Sequence, residues 1–144
     1  MSRETSLWRY MVKGMSNRWD ASRHEDMLAP GVPDVSYGIG GLQGWIELKV
    51  LPEWPKKFNT PVRFPKLTPW QKHWLIKRGH FGGGTWLFVR IEKSYLLFHW
   101  RTLTTVGRSA VGQSNREELI LKASGVWDGQ VNWDEFADIL KKKI

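Results

Sequence analysis

Three residues of the types that hold and assist a metal ion lie close together in the sequence: Asp34, Glu47 and Lys49. They fall within residues 31–50, where the pattern predicts two short strands joined by a glycine-rich turn. Side chains in a strand alternate between its two faces, so Glu47 and Lys49 share a face. If the strands pair with their apolar sets together, Asp34 joins them there. The spacing therefore predicts a metal site with a lysine beside it.

Basic residues are concentrated in the middle of the chain. The net charge is +8, and residues 51–110 carry eleven Lys or Arg against two acids, whereas the two ends are nearly balanced. A local excess of this size favours a polyanion partner, because each neutralised phosphate releases counterions. Aromatic residues are interleaved with the charges, which favours a nucleic-acid surface over a solvated basic face. The candidate contacts are Lys56, Lys57, Arg63, Lys66, Lys72, Lys77 and Arg78.

Length and composition set the class of protein. A chain of 144 residues is long enough for one domain with a real hydrophobic core. It contains no cysteine, which excludes disulfides, thiolate zinc sites and cysteine nucleophiles and suits a reducing compartment. No apolar run reaches the length that a membrane span needs. We therefore expect a single soluble, cytoplasmic domain over residues 1–144 with no membrane partner.

The residues before the predicted hairpin have a helical pattern. Apolar residues spaced three or four apart predict helix from about residue 6 to residue 28. Gly14 weakens a helix by roughly 1 kcal/mol relative to alanine, so a break near it would leave a second helical piece over residues 17–26. Pro30 and Gly31 end the pattern. Residues 1–30 are thus expected to form an N-terminal helical segment.

A loop and a helix follow the hairpin. Residues 51–66 contain four prolines and no clean periodicity, which predicts a long ordered loop. Its aromatic residues either face the nucleic acid or pin the loop to the core. Thr68 is a good N-cap and Pro69 a good first residue for a helix that runs to about residue 78, with its tryptophans packed inward.

Further strands and helices complete the expected domain. Residues rich in β-branched and aromatic side chains predict two strands, at 85–91 and 95–100. These complete a catalytic core over residues 31–100. Two capping-box patterns, Ser114 with Glu117 and Asn132 with Glu135, predict two C-terminal helices within residues 111–144.

The Pro33-Asp34 and Glu47-x-Lys49 pattern resembles the signature of the PD-(D/E)xK nucleases, the restriction-endonuclease-like superfamily. The resemblance implies an α/β fold with a mixed central β-sheet flanked by helices, here with extra C-terminal helices. It also implies that Asp34 and Glu47 ligate Mg²⁺, for which Mn²⁺ can substitute, and that Lys49 positions or activates the attacking water. The alternative for the three residues is a salt-bridged, exposed hairpin.

A longer resemblance covers about residues 31–90. The segments GVPDVSYG, GWIELKV and KLTPWQKHWLIKRGHFGG are similar to the VRR-NUC branch and to phage-type Holliday-junction resolvases. This resemblance implies that an acid from the first helix completes the metal site, with Glu25 the candidate and Asp26 its rival. It further implies that Gln71 lies close to the metal and that the Leu48 carbonyl is a further ligand.

The expected function is therefore that of a metal-dependent DNA endonuclease, a phosphodiester hydrolase acting on branched or otherwise structured DNA as a homodimer. A nonspecific or nicking nuclease of the same fold would have much the same sequence pattern. A nucleic-acid-binding module that keeps the fold without cleaving is the alternative from a different class of protein.

Overall fold

The computed structural model describes residues 2–24, 30–104 and 111–142. These ranges contain four α-helices and six strands, and two short 3₁₀ segments occur at Ser16–Arg18 and Trp100–Leu103. None of the helices in the described ranges is long and apolar enough to cross a membrane. The elements are α1 (Arg3–Met15), β1 (Asp20–Arg23), β2 (Val35–Ile39), β3 (Leu42–Leu51), α2 (Pro69–His80), β4 (Gly84–Ile91), β5 (Ser94–His99), α3 (Arg116–Lys122), β6 (Gly125–Asp128) and α4 (Trp133–Lys141).

The strands form one mixed sheet in the order β1-β2-β3-β4-β5-β6. Strands β3 and β4 are parallel, and the other neighbouring pairs are antiparallel. A parallel pair needs a crossover connection, and α2 with the loop before it supplies one. Strand β3 therefore lies inside the sheet, between β2 and β4.

Both faces of the sheet are covered. On one face α1 and α4 pack against a core that includes Ile46, Leu48 and Phe88. On the other face lie α2, α3 and the loop after β3, with Leu87 and Val89 in their core. Glu47 and Lys49 are paired in register with Leu87 and Val89, so their side chains lie on this second face, beside apolar neighbours.

The predicted hairpin is present as strands β2 and β3. Val35 pairs with Ile46, and both are fully buried, so the apolar sets of the two strands do lie together. The turn consists of Gly40 and Gly41, with φ of 55° and 82°. Two successive positive φ values fit a two-residue hairpin turn of the type that glycine favours.

The N-terminal segment differs from the prediction. Helix α1 runs through Gly14 to Met15, but the second helical piece expected over residues 17–26 is wrong where the structure describes it, because Asp20–Arg23 is strand β1. This strand pairs with the outer edge of β2 and supplies that edge with hydrogen-bond partners. Glu25 and Asp26 lie outside the described residues, so their placement on a helix stays a prediction.

Helix α2 begins at the predicted cap but turns a different side inward. Thr68 accepts a hydrogen bond from the Gln71 backbone N–H, as expected of an N-cap. The buried residues, however, are Leu75 and Gly79, whereas Trp70 is 67% exposed. Gly79 packs directly against the Trp100 indole, and a Cβ atom there would overlap it. A close approach at glycine, rather than a bulky side chain, thus fixes the inward face of the helix.

The C-terminal helices are present with one shift and one addition. The first capping box is formed by Asn115 and Glu118, one residue after the predicted pair. Asn132 caps α4 as predicted. Strand β6, which was not predicted, lies between the two helices and pairs with β5.

Gly14→Ala tests the packing of α1 against α4. Alanine favours helix by about 1 kcal/mol over glycine. A Cβ atom at Gly14 would nevertheless overlap the indole ring of Trp133, and overpacking costs about 1–3 kcal/mol. We expect a net loss in the free energy of unfolding of up to about 2 kcal/mol in urea denaturation. In a Trp133→Leu background the indole ring is absent, so Gly14→Ala should there increase the free energy of unfolding. A Gly14→Ala protein more stable than the wild type would contradict the contact.

Candidate active site

Glu47 is a buried carboxylate in the middle of strand β3. The residue is 1% exposed, and its Oε2 lies 3.1 Å from Lys49 Nζ. Its Oε1 is also buried and has no hydrogen-bond partner among the described residues. Lys49 is 8% exposed, so the ion pair is nearly withdrawn from water. The alternative of a salt-bridged exposed hairpin is therefore wrong.

Asp34 stands next to this pair because strand β2 begins one residue later. The register of β2 against β3, continued by one position, sets Asp34 opposite Glu47. The Leu48 N–H donates a hydrogen bond to Asp34 Oδ2, at 2.9 Å. The start of β2 thus turns the Asp34 carboxylate toward the strand that carries Glu47 and Lys49.

The electrostatics of Glu47 favour its neutral form when no cation is bound. The pKa of Glu47 is raised from 4.5 to about 8: burial is the largest cause, the nearby Asp34 carboxylate also raises it, and Lys49 lowers it. Two carboxylates at one desolvated position repel each other, and a single lysine offsets only part of that repulsion. A bound cation would relieve both the desolvation and the repulsion.

The donor set fits a hard divalent cation. Two carboxylates converge, one of their oxygens is unpartnered, and the backbone of Leu48 lies between them. Mg²⁺ and Mn²⁺ are bound in proteins mainly through such oxygen ligands. The described residues contain no group of three or more His, Cys, Asp or Glu arranged around one point. Asp34 and Glu47 therefore form a two-carboxylate site.

An acid that the sequence reasoning did not single out lines a cleft together with Lys49. Glu4, in the first turn of α1, lines a cleft of about 350 Å³ whose wall also contains Lys49. It is the acidic residue of α1, and it lies three and seven residues before the buried Leu7 and Met11, on the helix side that faces the sheet. The spacing of Glu4 from these apolar residues was the signal in the sequence that could have identified it. The sequence analysis instead considered acids further along the chain, at Glu25 and Asp26.

Gln71 has a structural role in the described contacts. Its side-chain Oε1 accepts a hydrogen bond from the Thr68 N–H at 3.0 Å, which completes a capping box at the start of α2. The backbone of Trp70 and Gln71 packs against Gly31, just before Asp34. The helix start therefore supports the segment that carries Asp34, and direct participation of Gln71 in the site stays a prediction.

The predicted basic residues lie at the surface, where phosphates could reach them. All are exposed except Lys72, which is half-buried. Lys66 lines the same cleft as Lys49, together with Arg3. In the loop after β3, Trp54 and Phe64 are buried and pin the loop to the core, whereas Phe58 is 72% exposed.

No protein-family model matches the chain, and no curated protein matches it. Among solved structures, the chain is similar to Hjc of Archaeoglobus fulgidus, a Holliday junction resolvase from an archaeal hyperthermophile. The TM-score is 0.60 and the identity 15%, over 99% of each chain. The likeness confirms the predicted fold class, an α/β fold with a mixed central sheet flanked by helices. Assignment to the VRR-NUC branch stays a prediction.

Glu47→Gln tests the electrostatics of the site in metal-free protein. Because the pKa of Glu47 in the folded protein is about 8, against 4.5 normally, the folded state holds its proton more tightly than the unfolded chain. The free energy of unfolding should therefore fall as pH rises from about 4.5 to about 8, and then level off. Glu47→Gln should remove this fall and be the more stable protein at pH 8 in EDTA.

Urea denaturation at pH steps between 5 and 9 measures the effect. Glu53→Gln, at an exposed glutamate six residues further along, is the matched control and should follow the wild type. A wild-type curve as flat as that of Glu47→Gln would show that the buried carboxyl titrates normally.

Proposed function

We propose that the protein is a metal-dependent DNA endonuclease that hydrolyses phosphodiester bonds, with selectivity for branched DNA such as a Holliday junction. The observation that carries the proposal is the buried Glu47 carboxylate, with an unpartnered oxygen, beside Asp34 and Lys49. An unpaired buried polar group costs stability, so a fold retains one where it serves binding or chemistry.

The proposed metal ligands are Asp34, Glu47 and the Leu48 carbonyl, with Glu4 from α1 as a further acid. Mg²⁺, or Mn²⁺ in its place, would lower the pKa of a bound water and stabilise charge on the phosphate. The place of Glu4 in the cleft wall beside Lys49 supports this role, and Glu25 stays a second candidate for the same role.

Lys49 and the basic cleft would hold the phosphate. The Lys49 ammonium lies 3.1 Å from Glu47 Oε2, so its charge is fixed at the carboxylate pair rather than free in solvent. In that position it can orient a water molecule for attack and offset charge that develops on the phosphate. Arg3 and Lys66, in the cleft wall beside Lys49, would bind neighbouring phosphates.

The selectivity for branched DNA is favoured by the likeness to the archaeal resolvase over nearly the whole chain. Two strands of a junction must be cut, and a homodimer would present two equivalent sites related by a twofold axis. A nonspecific or nicking nuclease would use the same site. A module that only binds nucleic acid is disfavoured, because binding requires no carboxylate pair buried beside a lysine.

Cleavage assays test the enzyme directly. Supercoiled plasmid and a four-way junction are incubated with the protein in Mg²⁺, Mn²⁺ or EDTA. We expect metal-dependent cleavage, faster on the junction than on a matched linear duplex, and no cleavage in EDTA. Glu47→Ala should abolish cleavage, and Lys49→Ala should slow it by roughly 10²- to 10⁴-fold, while junction binding in EDTA is retained.

Matched variants identify the helix-borne acid. Glu4→Gln should raise the Mg²⁺ concentration needed for half-maximal cleavage, whereas Glu25→Gln and the surface control Glu53→Gln should leave it unchanged. If the wild type binds DNA but cleaves none in either Mg²⁺ or Mn²⁺, the endonuclease proposal is wrong. The alternative of a nucleic-acid-binding module would then stand.

Salt dependence tests the basic cleft. The logarithm of the affinity for DNA should fall linearly with the logarithm of salt concentration, with a slope of about 0.9 per phosphate contact. Lys66→Ala should reduce that slope by about 0.9. Lys13→Ala is the control, because Lys13 is an exposed lysine about 14 Å along α1 from Glu4. Equal slopes for Lys66→Ala and the wild type in EDTA would remove Lys66 from the interface.

A further inference from the structure

A row of planar side chains leads away from the active-site strand. Trp45 lies two residues before Glu47, on the same face of β3 and about 7 Å along the strand. The Trp74 ring of α2 meets the Trp45 ring edge-on, with centroids 5.1 Å apart. One turn further along α2, the Arg78 guanidinium lies 4.4 Å from the Trp74 centroid. We call Trp45, Trp74 and Arg78 the aromatic track.

The track ends at a cavity of about 860 Å³, at the end of the sheet where β3 and β4 begin. Its volume lies within the range of about 300–1,000 Å³ that small-molecule sites occupy. Among the described residues, none that line it is Asp or Glu. Three cations line it, Arg78, Arg101 and Lys142, and its aromatic lining residues include Trp45, Phe81 and Trp100.

Core packing does not account for Phe81 and Arg78, although it does hold Trp100, which is buried against Gly79. Phe81 is 79% exposed, and Arg78 is exposed although its guanidinium is stacked. The wall beside Phe81 consists of Gly82, Gly83 and Gly84. Gly82 has a φ of 101°, and a Cβ atom there would meet nothing within 4 Å. The cavity therefore keeps aromatic faces and positive charge accessible beside an open backbone.

Unpaired nucleotides match this chemistry. Aromatic faces stack on bases that have left a duplex, whereas the bases within a duplex are covered by their neighbours. The cations suit the phosphates of the same strand, and the absence of acids from the lining removes repulsion. A strand whose phosphate lies at Lys49 could also reach the track, since Trp45 lies on the same face of β3, four residues and about 13 Å along the strand.

We propose that the aromatic track and the adjoining cavity form a subsite for unpaired nucleotides of the DNA strand that passes through the active site. The proposal rests on the proposed nuclease function and specifies its substrate as DNA with bases unpaired next to the scissile phosphate. The branch point of a junction and the base of a single-stranded tail both provide such bases.

Binding in EDTA tests the subsite without cleavage. Three fluorescent ligands of equal charge are compared: a fully paired duplex, a shorter duplex with a six-nucleotide single-stranded tail, and the same tailed duplex with abasic residues in the tail. The abasic tail keeps the phosphates and lacks the bases. Stacking of one base is worth a roughly five- to 150-fold change in affinity. We expect the base-bearing tail to bind more tightly than the abasic tail by a factor in that range.

Variants assign the preference to the subsite. Phe81→Ala, at a mostly exposed residue, and Trp74→Ala should bring the two tailed ligands to within about twofold of each other, with folding checked by circular dichroism. Trp70→Ala is the matched control, because Trp70 is an exposed tryptophan of the same helix that does not line the cavity, and it should keep the preference.

The outcomes separate this proposal from the nuclease itself. Equal affinity of the wild type for base-bearing and abasic tails overturns the subsite, as does a preference that both Phe81→Ala and Trp74→Ala retain. A protein that cleaves a junction in Mg²⁺ but shows no base preference is a nuclease without the subsite. A protein that shows the preference and never cleaves keeps the subsite and loses the enzyme.

Discussion

The placing of the buried Glu47 carboxylate between Asp34 and Lys49 is the interaction on which the rest of the structure depends. Glu47 is held almost fully out of water, beside Asp34 and 3.1 Å from Lys49. A buried carboxylate destabilises the folded state unless a nearby opposite charge compensates it. Here a single lysine compensates a pair of acids. The surrounding fold must therefore hold the carboxylates rigidly against their own repulsion. An inner strand of a sheet packed on both faces provides that rigidity.

The hairpin and its site could be predicted because their signals are local. Alternation along β2 and β3 separates the ionisable side chains from the apolar ones, and the Gly40-Gly41 turn fixes the register. Nothing in these residues alone, however, shows that Glu47 is buried. Its burial comes from β4, α2 and the loop after β3, which lie up to forty residues further along the chain. The exposed-hairpin alternative was tenable for that reason.

The errors arose where tertiary contacts decide the structure. Asp20–Arg23 has no strong apolar alternation, and it is a strand because the outer edge of β2 needs hydrogen-bond partners. In α2 the two tryptophans suggested an inward face, but the buried side is that of Leu75 and Gly79. The tryptophans of α2 lie outside this buried side: Trp70 is exposed, and Trp74 is half-buried. The expectation that bulky aromatic residues point inward therefore concealed the aromatic track.

One strand face connects the two parts of the molecule. Residues 45, 47 and 49 of β3 project to the same side of the sheet, as the period of two requires. Toward its carboxyl end this face carries the charges that suit a metal and a phosphate, and toward its amino end it carries the indole that begins the aromatic track. A slip of one residue in the pairing of β3 would move both to the opposite core. The register of β3 therefore places both the residues proposed to cleave the DNA backbone and those proposed to contact its bases. Strand selection and cleavage depend on the same strand pairing.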